Sequence, residues 1–176
     1  MRFAFAVVGS ILLISAADVR AQDVAAFKAD NADTRYFDFW EGNWRRSVDG
    51  KIDEKGTEFR VRRGVHRSSF VEEWDMTVDG NRIRANALRA WDKTNNRWMY
   101  TWASENALFQ VWEGRKVGDD WYIYREFGSG DQRYLSRQAW IPKDRDHLTR
   151  VSEKSVDGGQ TWTLRFREEY VRIGSK

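Results

Sequence analysis

Five polar side chains sit where an apolar one would be expected, each flanked at period-two spacing by large hydrophobic residues. Glu72 shares a face with Trp74 and Met76, Arg89 lies between Ala87 and Trp91, and Arg125 lies between Ile123 and Phe127. Gln138 precedes Trp140 by two residues, and Glu168 falls between Phe166 and Tyr170. A charge facing an apolar interior is costly unless it is paired or hydrated. Three arrangements meet that requirement. The charges form Arg–Glu pairs, or the interior is open to water and ligand, or the assigned face slips by one residue at a bulge. In the open case Glu72 or Glu168 has the chemistry of a general acid or base, with Arg125 or Arg89 holding an anion. A binding pocket is the other use of the same set. Pockets are largely apolar with a few convergent polar groups, and Glu72, Trp74, Arg89, Trp102, Arg125, Gln138, Glu168 and Tyr170 are the candidate lining.

Other chemistries find little support. The chain has no cysteine, which removes thiolate metal sites, cysteine nucleophiles and disulfides. Its two histidines, His66 and His147, are too few for a multi-histidine centre without converging carboxylates, and no metal site is expected. No G-x-S-x-G, phosphate-binding loop, dinucleotide fingerprint or H-E-x-x-H occurs. The 30 basic and 27 acidic residues are interleaved. Nucleic-acid binders cluster their basic residues, so no nucleic-acid partner is expected.

The elements that must carry these residues are strands. From Tyr36 onward short period-two segments alternate with Gly, Asp and Asn, and the only proline is Pro142. About ten strands are predicted, near 43–48, 57–65, 68–78, 81–91, 97–104, 107–116, 120–127, 132–141, 147–154 and 161–172. Asp49-Gly50, Asp79-Gly80 and Asp157-Gly158-Gly159 suit tight hairpins. Links this short force antiparallel neighbours. A meander of about ten strands curls and closes, which removes its edges. The fold class is therefore all-β, an up-and-down antiparallel β-barrel. Trp162, Leu164, Phe166, Glu168 and Tyr170 are expected on its inner face. Tyr122 and Tyr124, opposite Trp121 and Ile123, call for a covered outer face or an interface. The chain's 10 Trp, 6 Tyr and 10 Phe, less Phe3 and Phe5 in the apolar run at the start, are the core material.

Before the barrel, Met1-Arg2, an apolar run from Phe3 to Ala17 and Val19-Arg20-Ala21 have the three-part layout of a secretory signal peptide. The run is shorter than the roughly 20 residues of a membrane span. Cleavage after Ala21, a polar leader over 22–35 and a single domain over 36–176 are expected. No lipid-modified cysteine and no membrane association after cleavage are expected, with a periplasmic or secreted destination. Nothing in the sequence fixes an oligomeric state.

Phe37-Asp38-Phe39-Trp40-Glu41-Gly42-Asn43-Trp44 resembles the opening of a family of exported bacterial proteins of unknown function with a lipocalin-like (calycin-type) barrel. Gly42-x-Trp44 is similar to the Gly-x-Trp that begins the first strand of lipocalins and nitrobindin-like barrels. The resemblance continues through Trp91-Asp92 to Trp98 and through Ser155 to Trp162. It implies that Trp44 closes one end of the barrel under a basic residue of the last strand, Arg172 or Arg167. It further implies carriage of a small apolar or aromatic ligand without a cofactor. A minor implication is haem at His147, since Asp146-His147-Leu148 is faintly similar to the haem-binding region of nitrobindin-like barrels. The alternatives to a carrier are a lumen enzyme built on an inward Glu/Arg pair and an interaction protein with a solidly packed core. Ser155-Val156-Asp157-Gly158-Gly159-Gln160-Thr161-Trp162 resembles the Asp-box of sialidases. As a single copy it reads as a hairpin brace, with Asp157, Gly159 and Trp162 structural.

Overall fold

The computed structural model of the chain describes residues 31–78 and 80–174. The expected signal peptide, most of the polar leader and Asp79 of the Asp79-Gly80 turn lie outside the described residues. The elements are α1 (Ala32–Arg35), a 3-10 turn (Tyr36–Phe39) and strands β1 (Gly42–Val48), β2 (Lys51–Ile52), β3 (Glu58–Arg63) and β4 (Ser69–Val78). They continue with β5 (Asn81–Asp92), β6 (Arg97–Ser104), β7 (Phe109–Val117), β8 (Asp120–Phe127), β9 (Tyr134–Pro142), β10 (His147–Ser155) and β11 (Thr163–Ile173).

Every pairing between neighbours is antiparallel, and the sheet closes on itself where β1 meets β11 from Asn43↔Ile173 to Ser47↔Glu169. The two-residue β2 pairs only with β1 and forms a lip, which leaves a closed barrel of ten strands. Closure leaves no long unpaired edge. The architecture is consistent with a lipocalin-like fold. The hairpins use the expected residues: Asp49 and Gly50 have φ of +50° and +75°, and Gly158 and Gly159 have φ of +73° and +96°.

One end of the barrel is sealed. Asn31 caps α1 by accepting from the Thr34 amide. The 3-10 turn then drives Phe37 and Trp40 into the interior, where both are fully buried. Polar contacts fix this segment. Trp98 Nε1 donates to the Asp33 carbonyl at 2.8 Å, Lys116 Nζ reaches Asp33 at 2.6 Å, and the Tyr36 hydroxyl donates to Asp120 at 2.7 Å. Burial, with the Asp120 bond second, pushes the Tyr36 phenol far above its ordinary value. Beside it Trp44 is fully buried and Arg172 lies over its ring, Cζ 4.2 Å from the centroid. Arg172, not Arg167, is the residue over the plug.

The last strand corrects one expected face. Ser152 pairs with Phe166, but Glu153 pairs with Leu164, so β11 holds an extra residue at this step. That bulge turns Leu164 and Trp162 to the outside. Leu164 is exposed. Trp162 packs edge-on against Tyr124 with centroids 5.7 Å apart, and the Arg137 guanidinium lies 4.0 Å over its ring. The aromatic outer face of β8 is thus a covered one.

The Asp157 hairpin is braced from within. Asp157 accepts from the Ser155 hydroxyl at 2.6 Å, the Thr161 hydroxyl at 2.6 Å and the amides of Gln160 and Thr161 at 3.0 Å. These bonds, the Ser155 and Thr161 hydroxyls foremost, hold its carboxyl well below the ordinary carboxylate range. A depressed folded-state value means that the stabilisation is complete above the ordinary value near 3.8 and fades as pH falls below it. Trp162 should therefore loosen from Tyr124 in acid. An acid titration of near-ultraviolet circular dichroism should show a transition below pH 3.8 in the native chain. Asp157→Asn should remove it and show a looser Trp162 signal already at neutral pH. Identical profiles for the two proteins would leave the brace without a role.

Candidate functional site

The inner residues of the central layer form one connected set. Glu72 on β4 and Arg89 on β5 are fully buried, with Arg89 Nε donating to Glu72 Oε1 at 3.0 Å. The same carboxylate accepts from Trp40 Nε1 at 2.8 Å and Trp74 Nε1 at 2.9 Å. The two Nη groups of Arg89 have no hydrogen-bond acceptor among the described residues. They face rings instead: the guanidinium carbon lies 4.4 Å from the Phe37 centroid, 4.6 Å from Trp140, 4.8 Å from Tyr100 and 5.2 Å from Trp40. Cation–π attraction within such distances takes the place of acceptors. Glu72 and Arg89, expected as pocket lining, are therefore a structural pair in the packed centre.

Next to this centre the interior is not filled. A cavity of about 190 Å³ opens towards the end opposite the plug. Its aromatic wall is Trp74, Tyr100, Trp102, Trp112 and Trp140, and its aliphatic wall is Met76, Leu108 and Ile123. Three polar side chains reach it: Gln110, Gln138 and Arg150. Of the expected set, Trp74, Trp102 and Gln138 line this space.

Arg150 is held at the wall by the other expected residues. Its Nη1 lies 3.1 Å from Glu168 Oε2, its Nη2 donates to Gln138 Oε1 at 2.9 Å, and the Tyr170 hydroxyl donates to Glu168 at 3.0 Å. Arg150 also spans the rings of Phe166 at 4.9 Å and Trp140 at 5.5 Å. Glu168 and Tyr170 thus stand behind the cavity wall. Burial, followed by the countering charge of Arg150, leaves the Tyr170 phenol raised, and burial raises that of Tyr100 well above its ordinary value. The Tyr100 phenol facing the cavity remains protonated at any ordinary pH.

Arg125 faces inward between Ile123 and Phe127 and is half-buried, its guanidinium 5.2 Å over the Phe127 ring. Phe127 in turn packs on Trp112 and Tyr134, with centroids 5.4 and 5.5 Å apart. Arg125, expected as pocket lining, thus stands outside the lining of the cavity, in a cluster that meets it at Trp112. His147 occupies an outward register position, exposed, with Nδ1 2.9 Å from Asp144 Oδ1, and His66 lies in the loop between β3 and β4. Neither imidazole lines the cavity. Among the described residues no group of three metal-ligating side chains converges.

Sequence reasoning missed Tyr100, Gln110, Trp112, Trp140 and Arg150. Gln110 carries the signal that singled out Gln138, a polar residue two positions before an inward Trp. Arg150 follows Leu148 at the same period but has no aromatic neighbour on its own strand to mark it.

A sealed aromatic end, a paired charge at the centre and a mainly apolar cavity at the other end characterise this closed ten-stranded antiparallel barrel, whose architecture is consistent with a lipocalin-like fold. No protein-family model and no curated protein matches the chain.

Proposed function

We propose that the protein is an exported carrier or sensor of a small, mainly apolar or aromatic molecule, held in the open half of the barrel. The observation that carries this reading is the cavity of about 190 Å³ walled by five aromatic residues. An apolar cavity of about 150 Å³ already holds benzene, so the space suits a single substituted ring with its substituent at the mouth. The mixture of apolar wall and three polar side chains fits a binding pocket. Against lumen catalysis, Glu72 is pinned by three donors and Glu168 by Arg150 and Tyr170, so neither carboxylate faces the cavity.

Native and denaturing mass spectrometry of the protein recovered from a bacterial periplasm tests both halves of the proposal. A denatured mass beginning at Gln22 is expected from export and cleavage. Additional mass in the native state, lost on denaturation, is expected from a bound molecule. Equal native and denatured masses, together with no change in tryptophan emission on adding single-ring compounds, would overturn the carrier reading.

A further inference from the structure

Among the described residues, three of four guanidinium groups directed into the barrel meet a carboxylate. Arg89 has Glu72 at 3.0 Å, Arg150 has Glu168 at 3.1 Å, and Arg46 lies 3.6 Å from Asp53. Arg125 alone among these inward guanidinium groups has no carboxylate within 4 Å among the described residues. It is half-buried, and its one close partner is the Phe127 ring. The Glu113↔Tyr124 pair sets Trp112 beside Arg125 across β7 and β8. Arg125 therefore adjoins two cavity residues, Trp112 and Ile123.

The cavity wall has the same bias. No aspartate or glutamate lines it. Gln138 Oε1 already accepts from Arg150 Nη2 at 2.9 Å, and Gln110 Oε1 accepts from Trp112 Nε1 at 3.0 Å. Both partners are obligate donors, which fixes the amide orientations with oxygen towards them. Each glutamine is left with its NH₂ group to offer. The wall thus presents amide N–H groups and a guanidinium, and a second guanidinium without a carboxylate partner lies beside it, next to Trp112 and Ile123. A narrow opening with low-dielectric walls strengthens the field of such a charge.

We propose that the ligand is an anion, a single-ring or similarly small apolar body bearing one carboxylate or comparable oxyanion. This rests on the carrier reading of the cavity. The body lies among Trp102, Trp112 and Trp140, the Gln110 and Gln138 amides donate to acceptors on it, and Arg125 meets the negative group beside Trp112. Arginine suits the task because its planar fork matches a carboxylate and keeps its charge at any ordinary pH.

A charge series on one ring tests this without knowing the natural ligand. Benzoate, benzamide and benzylammonium are titrated into the native protein and followed by tryptophan fluorescence. Benzoate should bind roughly tenfold more tightly than benzamide, the scale of one charge-assisted hydrogen bond, with benzylammonium weakest. Added salt should narrow the gap between benzoate and benzamide. Arg125→Gln should abolish the preference, bringing the ratio of benzoate to benzamide affinity from roughly ten to about one. Arg125→Lys, which keeps the charge, should retain a preference for benzoate and serves if the glutamine variant does not fold. Equal binding of benzoate and benzamide by the native protein would overturn the anion assignment while the carrier reading stands. A benzoate preference that survives Arg125→Gln would overturn the role of Arg125. No response to any of the three would overturn the assignment, and together with equal native and denatured masses it would remove the carrier reading as well.

Discussion

Replacing Glu72 with methionine should destabilise the barrel by about 4 kcal/mol, the cost of stranding one member of a buried ion pair. The reason lies in what the carboxylate serves. Three donors end on it, Arg89 Nε, Trp40 Nε1 and Trp74 Nε1, and all three residues are buried. Without Glu72 the Arg89 charge retains only the faces of four rings, which attract a cation but do not accept its protons in good geometry. A loss of that size is a large part of the roughly 5–15 kcal/mol by which domains are stable. Exchanging both members, Glu72→Met with Arg89→Met, should recover part of it. Apolar residues of similar volume often replace a buried pair at little net cost, and the two indole N–H groups remain as the residual penalty. Urea unfolding followed by tryptophan emission should rank the native protein first, the double variant second and Glu72→Met last. If the double variant is as unstable as Glu72→Met alone, Arg89 is not the source of the cost. A Glu72→Met loss below about 1 kcal/mol would mean that water reaches the centre.

The strands were legible because their two signals are local. Period-two alternation assigns a face, and Asp-Gly or Asn at a turn assigns an end, so segments such as 81–91 and 120–127 nearly coincide with β5 and β8. Inward placement of Glu72, Arg89, Arg125 and Gln138 followed from the same alternation. What alternation cannot carry is a change of count between partners. The extra residue in β11 near Arg165 is visible only in the pairing with β10, and it moved Trp162 and Leu164 outside. Pairing partners were illegible for a related reason. Glu72–Arg89 and Arg150–Glu168 form between strands, and the sequence offers several guanidinium groups for each carboxylate. The cavity was the least legible feature, because its volume is the small difference between a lumen and the side chains that fill it. Ten tryptophans are compatible with a solid interior and with a hollow one. The plug was the opposite case. Gly42, Trp44 and a basic residue on the last strand were named from resemblance, and the geometry selects Arg172.

That plug provides the second large effect. Arg172 lies over Trp44 and donates to the carbonyls of Phe39, Glu41 and Arg145 and to the Asp146 carboxylate. It thereby ties β11, the 3-10 segment and the β9–β10 turn into one lid. Arg172→Ala removes all of these bonds and uncovers the buried Trp44 indole, and a loss of about 2 kcal/mol is expected, roughly 1 kcal/mol for the bond to the part-buried Phe39 carbonyl and about as much for the cation–π contact, while water replaces the bonds to the exposed carbonyls of Glu41 and Arg145. Arg172→Lys should regain only a minor share, since a point charge on a flexible stem cannot bridge several carbonyls as a planar fork does. Gly42 supplies a check that the fork itself is responsible. Its φ of +138° is one that side-chain-bearing residues rarely adopt, and a Cβ there would overlap Arg172 Nη1. Gly42→Ala should therefore cost stability twice, through backbone strain and through displacement of the guanidinium. Only the second part vanishes when Arg172 is already alanine. A double-mutant cycle should show Gly42→Ala costing less in the Arg172→Ala background than in the native one, by about 1 kcal/mol or more. Strict additivity would mean that the guanidinium sidesteps the new methyl group without loss, and that the close approach of glycine and arginine is not what seals this end of the barrel.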